Sequence, residues 1–205
     1  MRTRVKMCGI TRIEDARMCL EAGADVLGFN FWPQSKRHVP VSRAAEISAA
    51  LPAGVLRVGV FVRATPEEVR RTVTAVGLAA VQLHGDEDPS EYADAGVPLW
   101  QVLRIDASLP DKVSERASEL LLDAKVEGFG GSGRSFDWSL AREARRFGLP
   151  LWLAGGLTPL NVAEAVRHAA PDGVDVASGV ESSPGVKDPE RVRAFVAAVR
   201  AAEER

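Results

Sequence analysis

The chain has 205 residues, 46% of them hydrophobic and 26% charged, with a formal net charge of −2. That composition suits one soluble domain with a sizeable core, and the slight acidity offers no global attraction for nucleic acid or an anionic membrane. No apolar run approaches the roughly 20 residues of a membrane span, and no signal-peptide core is evident at the amino terminus. Cys8 and Cys19 lack CxxC or zinc-type spacing, so a reducing cytoplasm is the expected home and nothing requires them to pair.

The pattern along the chain is a short apolar strand, a turn and an amphipathic helix, repeated. Val5 to Cys8 reads as a strand, with Val5 and Met7 facing one way and Lys6 and Cys8 the other. Gly9 lets the backbone turn, and Thr11 is expected to cap a helix over Ile13–Glu21, with Glu14 completing a capping box. Asp25–Phe31 is the second strand, followed by a loop over 32–38 and a helix capped by Ser42. Val55–Val62 is the third, and Thr65-Pro66 starts its helix. Ala79–Leu83 is the fourth, followed by a short helix from Asp88. Leu99–Leu103 is the fifth, with a helix expected near Leu109–Ser118. Glu119–Asp123 is the sixth, followed by a glycine-rich loop over 128–133 and a helix starting at Asp137 or Ser139. Leu151–Ala154 is the seventh, with Thr158-Pro159 launching a helix. Gly173–Ala177 is the eighth, before a last helix capped by Asp188.

Continuous apolar strands alternating with helices imply a parallel sheet covered on its faces. Eight such strands close a barrel, whereas a doubly wound open sheet would leave edges, and no strand here is blunted by charge. The expected architecture is an α/β fold, a single (β/α)8 TIM barrel spanning residues 1–205.

In such a barrel the chemistry belongs at the carboxyl ends of the strands. Those positions hold Cys8, Asn30, Phe61, His84, Arg104, Asp123, Gly155-Gly156 and Ser178-Gly179. A buried cysteine most often only packs, and an aspartate ending a strand often only caps a loop. Set on opposite sides of one mouth, Cys8 and Asp123 suit a base and an acid acting on one small substrate. Gly155-Gly156 and Ser178-Gly179 either make tight turns or, as paired turns after strands seven and eight, bind a phosphate through backbone N–H groups. Lys36 and Arg37 supply local cations that a slightly acidic chain needs for an anionic substrate, and arginine grips carboxylates bidentately. His84 either bonds substrate or satisfies a loop. His38 and His168 have no partner spacing, so no metal is expected. The 128–133 loop is a lid over the site or an ordinary connection.

Several stretches together resemble the phosphoribosylanthranilate isomerase family of tryptophan biosynthesis. They are Lys6-Met7-Cys8-Gly9-Ile10-Thr11, Pro33-Gln34-Ser35-Lys36-Arg37, Arg57-Val58-Gly59-Val60-Phe61, Val81-Gln82-Leu83-His84-Gly85 and Leu121-Leu122-Asp123. Gly130-Gly131-Ser132-Gly133, Phe136-Asp137-Trp138, Leu153-Ala154-Gly155-Gly156-Leu157 and Asp175-Val176-Ala177-Ser178-Gly179-Val180-Glu181 complete the series in family order over nearly the whole length. The resemblance implies an Amadori rearrangement, an aldose–ketose isomerisation of a small phosphosugar-anthranilate that needs no cofactor. It implies Asp123 as general acid, Cys8 as general base, Arg37 on the anthranilate carboxylate, the two glycine turns on the phosphate, and Asp175 in support. Neither monomer nor homodimer is singled out. Nearby lysine or arginine and the start of the following helix are expected to lower the Cys8 pKa. Two rivals share parts of the pattern. One is a histidine-pathway sugar isomerase, with aspartate where this chain has Cys8; the other is a non-catalytic phosphosugar-binding barrel.

Overall fold

Strands apolar on both faces need cover on both, and the chain satisfies this by closing its sheet on itself and wrapping it in helices. A computed structural model describes residues 2–105, 108–124 and 138–203. The strands are β1 (Arg4–Cys8), β2 (Val26–Asn30), β3 (Leu56–Phe61), β4 (Ala80–Leu83), β5 (Leu99–Ile105), β6 (Ala117–Ala124), β7 (Leu151–Ala154) and β8 (Gly173–Val176). They pair in that order as a closed barrel. β8 returns to β1 in parallel, with Arg4 opposite Gly173 and Lys6 opposite Asp175. The expected TIM barrel is therefore the observed fold. Around it lie α1 (Ile13–Glu21), α2 (Val41–Ala49), α3 (Pro66–Val76), α4 (Trp138–Ala144), α5 (Val162–Ala169) and α6 (Pro189–Glu203).

Two apolar layers result. The larger lies between strands and helices and includes Met7, Leu27, Phe29, Leu120, Leu122 and Phe195. The smaller fills the lower barrel with Val26, Val58, Ala80, Trp100, Val102, Leu121 and Trp152. Trp100 and Trp152 stack there with ring centroids 4.7 Å apart. The Arg4 guanidinium lies 4.6 Å from the centroid of the Trp152 ring and pairs with Glu119 at 2.7 Å. Trp152 Nε1 donates to the same carboxylate. This aromatic plug closes the amino-terminal end of the barrel, so any cavity must open at the carboxyl end.

Several local expectations change. Thr11 does not cap α1; its hydroxyl donates to the Gly185 carbonyl at 2.6 Å, and Arg12 stands at the cap without a side-chain bond. A tertiary partner has outcompeted the local one. α2 begins at Val41, before Ser42, again without a side-chain cap. Residues 109–116 form no helix, and β6 starts at Ala117. The Ser114 N–H is satisfied not by a helical carbonyl but by the Gln101 side chain at 2.9 Å. α5 starts at Val162 because Asn161 stitches the preceding turn, accepting from Thr158 N–H at 2.8 Å and donating to the Gly156 carbonyl at 3.0 Å. The helix start at Thr65-Pro66 and the Asp188 cap of α6 form as expected, the former as a Thr65–Glu68 capping box, as does the short helix after Asp88, a 3-10 turn. An unanticipated antiparallel hairpin, β9 (Glu181–Ser183) and β10 (Val186–Lys187), follows β8. The 128–133 loop and Asp137 lie outside the described residues.

Candidate active site

The alternation of β1 sends Lys6 and Cys8 into the barrel, as their phase predicts. Lys6 is fully buried above the aromatic plug, and its ammonium donates to Asp175 at 2.8 Å and to the Gln82 amide oxygen at 3.0 Å. Burial opposes that charge, but Asp175 and Cys8 together more than offset it, so the Lys6 pKa lies above its ordinary value. Asp175 Oδ1 is buried with no hydrogen-bond partner among the described residues.

Above this polar layer lies a cavity of about 720 Å³, within the range for small-molecule sites. Its walls include Cys8, Arg37, His84, Asp123, Gly155, Gly156, Asp175 and Ser178, together with Asn30, Gln82 and Arg104. Gly179 does not line it. A Cβ there would stand 1.9 Å from the Leu157 carbonyl oxygen, so its glycine lets the turns after β7 and β8 meet. Lys36 is exposed and off the wall. Phe61 faces the outer layer and stacks on Phe31 at 5.1 Å.

Cys8 is a free thiol. Burial pushes its pKa up and Asp175 adds to that, while Lys6 and Lys187 pull it down without prevailing. The expected lowering is thus overturned: desolvation outweighs the cations, both of which are already paired with carboxylates.

Arg37 reaches the mouth over Gly9, where a Cβ would come within 2.5 Å of its Cδ and where the backbone φ is +78°. Its Nε lies 2.9 and 3.0 Å from the two Glu181 oxygens, and its Nη2 lies 2.6 Å from Oε2. Glu181 also accepts from Lys187 Nζ at 2.9 Å, and that ammonium donates to the Cys8 carbonyl at 2.6 Å. Burial pushes the Glu181 carboxyl up, but Arg37 and Lys187 hold it below the ordinary carboxylate range. The hairpin thus braces both the arginine and the backbone of the cysteine.

Across the cavity, His84 Nε2 lies 3.0 Å from Asp123 Oδ2 and its Nδ1 lies 2.9 Å from Gln82 Nε2. Both ring nitrogens are engaged, so this histidine borders the cavity with its hydrogen-bonding capacity already spent on Asp123 and Gln82. Arg104 holds the His84 carbonyl.

Lys6, Gln82, Glu181 and Lys187 are the site residues that sequence reading passed over. Lys6 carried a signal: a lysine in phase with Cys8 on an apolar strand must point into the barrel. Lys187 and Glu181 carried a weaker one, since Pro184-Gly185 between them makes a turn. Among the described residues no helix is long and apolar enough to cross a membrane.

Comparison with known proteins agrees with this geometry. The family model described as N-(5′-phosphoribosyl)anthranilate (PRA) isomerase matches residues 5–198. The N-(5′-phosphoribosyl)anthranilate isomerase of Myxococcus xanthus is 49% identical over 207 aligned positions, covering 98% of this chain and 97% of the relative. Among solved structures, the phosphoribosyl anthranilate isomerase of Thermotoga maritima superposes with a TM-score of 0.85 at 40% identity, covering 97% of this chain and 99% of that one. A second, in complex with reduced 1-(o-carboxyphenylamino)-1-deoxyribulose 5-phosphate, gives 0.83 at 37% identity over the same shares. A cysteine and an aspartate facing one another across a barrel mouth, in a chain that matches these proteins nearly end to end, leave one assignment: the chain belongs to the phosphoribosylanthranilate isomerase family.

Proposed function

We propose that this chain converts N-(5′-phosphoribosyl)anthranilate to 1-(2-carboxyphenylamino)-1-deoxyribulose 5-phosphate, with Asp123 as general acid and Cys8 as general base. The observation that carries the assignment is that both proton carriers line one cavity, from β1 and β6, three places apart round the closed barrel. Asp123 protonates the furanose ring oxygen while the anilino nitrogen lone pair forms C=N and the C1′–O bond breaks. The Schiff base then acts as electron sink as Cys8 removes the C2′ proton, and the resulting enol tautomerises to the ketone. No redox partner is consumed.

The raised thiol pKa fits this order of events. In the free site the thiol keeps its proton, while ring opening creates a cationic imine nearby that favours the thiolate when the base is needed. Arg37, braced by Glu181, takes the anthranilate carboxylate; the backbone at Gly155 and Gly156 and the Ser178 turn take the phosphate, with Gly179 allowing those turns to approach. His84 serves Asp123, and Asp175 supports Lys6. The substrate is a small molecule, which relatives of this family bind. The Thermotoga relative is described as a dimer, so a homodimer and a monomer are both to be tested; the cytoplasm is the proposed location.

Turnover is followed as loss of substrate fluorescence. Wild type should be active, while Cys8→Ala and Asp123→Ala should each lose about 10²–10⁴-fold, the contribution of a positioned acid or base. A folded wild type without turnover would overturn the reading.

A further inference from the structure

We propose that Lys6 and Gln82 fix the proton of His84 on Nε2, so that a neutral imidazole donates to Asp123 Oδ2 and leaves Oδ1 as the oxygen that delivers a proton to substrate. The inference rests on Asp123 being the general acid and makes Lys6, Gln82 and His84 its positioning residues.

The argument follows from which groups can only donate. An ammonium has donors and no acceptor, so the Gln82 amide must turn its oxygen towards Lys6, 3.0 Å away. Its other end is then NH2, which also only donates, and it faces His84 Nδ1 at 2.9 Å. Nδ1 must therefore present a lone pair. A neutral imidazole carries one proton, which is left on Nε2 and aimed at Asp123 Oδ2, 3.0 Å away. Protonating Nδ1 as well would set N–H against N–H. The first link cannot reverse, because Lys6 is fully buried and tied to Asp175 at 2.8 Å, and Gln82 is also buried. All three bonds thus run one way, from the strand bearing Cys8, through β4, to the strand bearing Asp123.

The chemical consequence lies at Asp123. A cationic histidine would hold the aspartate as a carboxylate in an ion pair, useless as an acid. A neutral donor occupies Oδ2 and leaves Oδ1 to carry a proton to the ring oxygen.

The test is a two-bond proton–nitrogen NMR correlation of the histidine ring in uniformly 15N-labelled enzyme, with the His84 signals assigned by their loss in His84→Gln. The expected spectrum at neutral pH is a neutral ring protonated at Nε2. Gln82→Glu supplies a carboxylate that accepts from both Lys6 and His84, so the proton should move to Nδ1. kcat should then fall about 10- to 100-fold, part of what a general acid contributes, with KM close to wild type. His84→Gln, whose amide can still donate, should retain more activity than His84→Ala. Wild-type His84 protonated at Nδ1, or as imidazolium, overturns the proposal; so does an unchanged kcat in Gln82→Glu once its proton is seen on Nδ1. If Gln82→Glu does not fold, the wild-type spectrum decides alone. Full turnover by Asp123→Asn would instead sink the general-acid assignment and leave the tautomer standing.

Discussion

Lys6→Met keeps an unbranched side chain in the middle of the barrel and deletes its charge. Asp175, whose side chain is only 8% exposed, then loses its one cation contact, and the Gln82 oxygen loses its donor. Breaking a buried ion pair from one side costs about 3–5 kcal/mol, because an unpaired charge remains in a poorly solvated place. Part of that is relieved here, since Asp175 borders the cavity and water reaches it; about 3 kcal/mol is the expected loss, a large share of the 5–15 kcal/mol typical of a folded domain. With a urea slope of about 2 kcal/mol per molar, the unfolding midpoint falls by about 1.5 M. The assay is equilibrium urea unfolding, read by the fluorescence of the buried Trp100 and Trp152. Lys6→Met/Asp175→Leu, which removes both charges, should regain most of the loss, giving a coupling of more than about 1.5 kcal/mol. A single-variant loss below about 1 kcal/mol, or a double variant equal to the sum of its singles, would refute the claim that this pair is a desolvated and mutually dependent unit.

Three further outcomes follow from the same geometry. Alkylation of Cys8 by iodoacetamide in the free enzyme should keep accelerating above pH about 8.5, the ordinary thiol value, because burial raises its pKa; a plateau at or below that pH contradicts the site electrostatics. Cys19, behind β1 on α1, has its pKa pushed up to about 12 by burial, so the folded state holds this proton more tightly than the unfolded chain does. Its contribution is complete below pH about 8.5 and is lost as pH rises from there towards about 12, so Cys19→Ala should show a shallower alkaline decline of stability than wild type; identical slopes would contradict it. Glu181→Gln weakens the brace on Arg37, and KM should rise about tenfold with kcat changed less, since the proposed partner of Arg37 is a carboxylate that does not react. The same substitution removes a carboxylate whose pKa is depressed in the fold. Its stabilisation is present above pH about 4.3 and lost as pH falls, so the variant should unfold less steeply in acid, and an unaltered acid limb would argue against the pairing.

The amino-acid sequence determined the barrel and put Cys8 and Asp123, the two proposed proton carriers, at strand ends on its mouth, for local reasons. Short, nearly continuous apolar runs, separated by helical stretches and turn glycines, restrict the chain to a parallel sheet covered by helices, and the phase of β1 places Cys8 inside it. The motifs around Asp123, Gly155 and Ser178 read directly because strand ends in this fold share one mouth. What the tertiary structure decided depends on partners far apart in the chain. Thr11 left its helix cap for the Gly185 carbonyl, a contact available only once the hairpin after β8 folds back. The thiol of Cys8 is governed by desolvation, a property of the assembled pocket, so reading its nearby cations alone gave the wrong sign. Lys6, Gln82 and His84 sit on β1, on β4 and just beyond it, and no spacing in one strand announces that an ammonium, an amide and an imidazole will line up toward Asp123. Directional hydrogen bonds between distant residues exist only after the barrel closes, and it is those bonds that set which atom carries each proton.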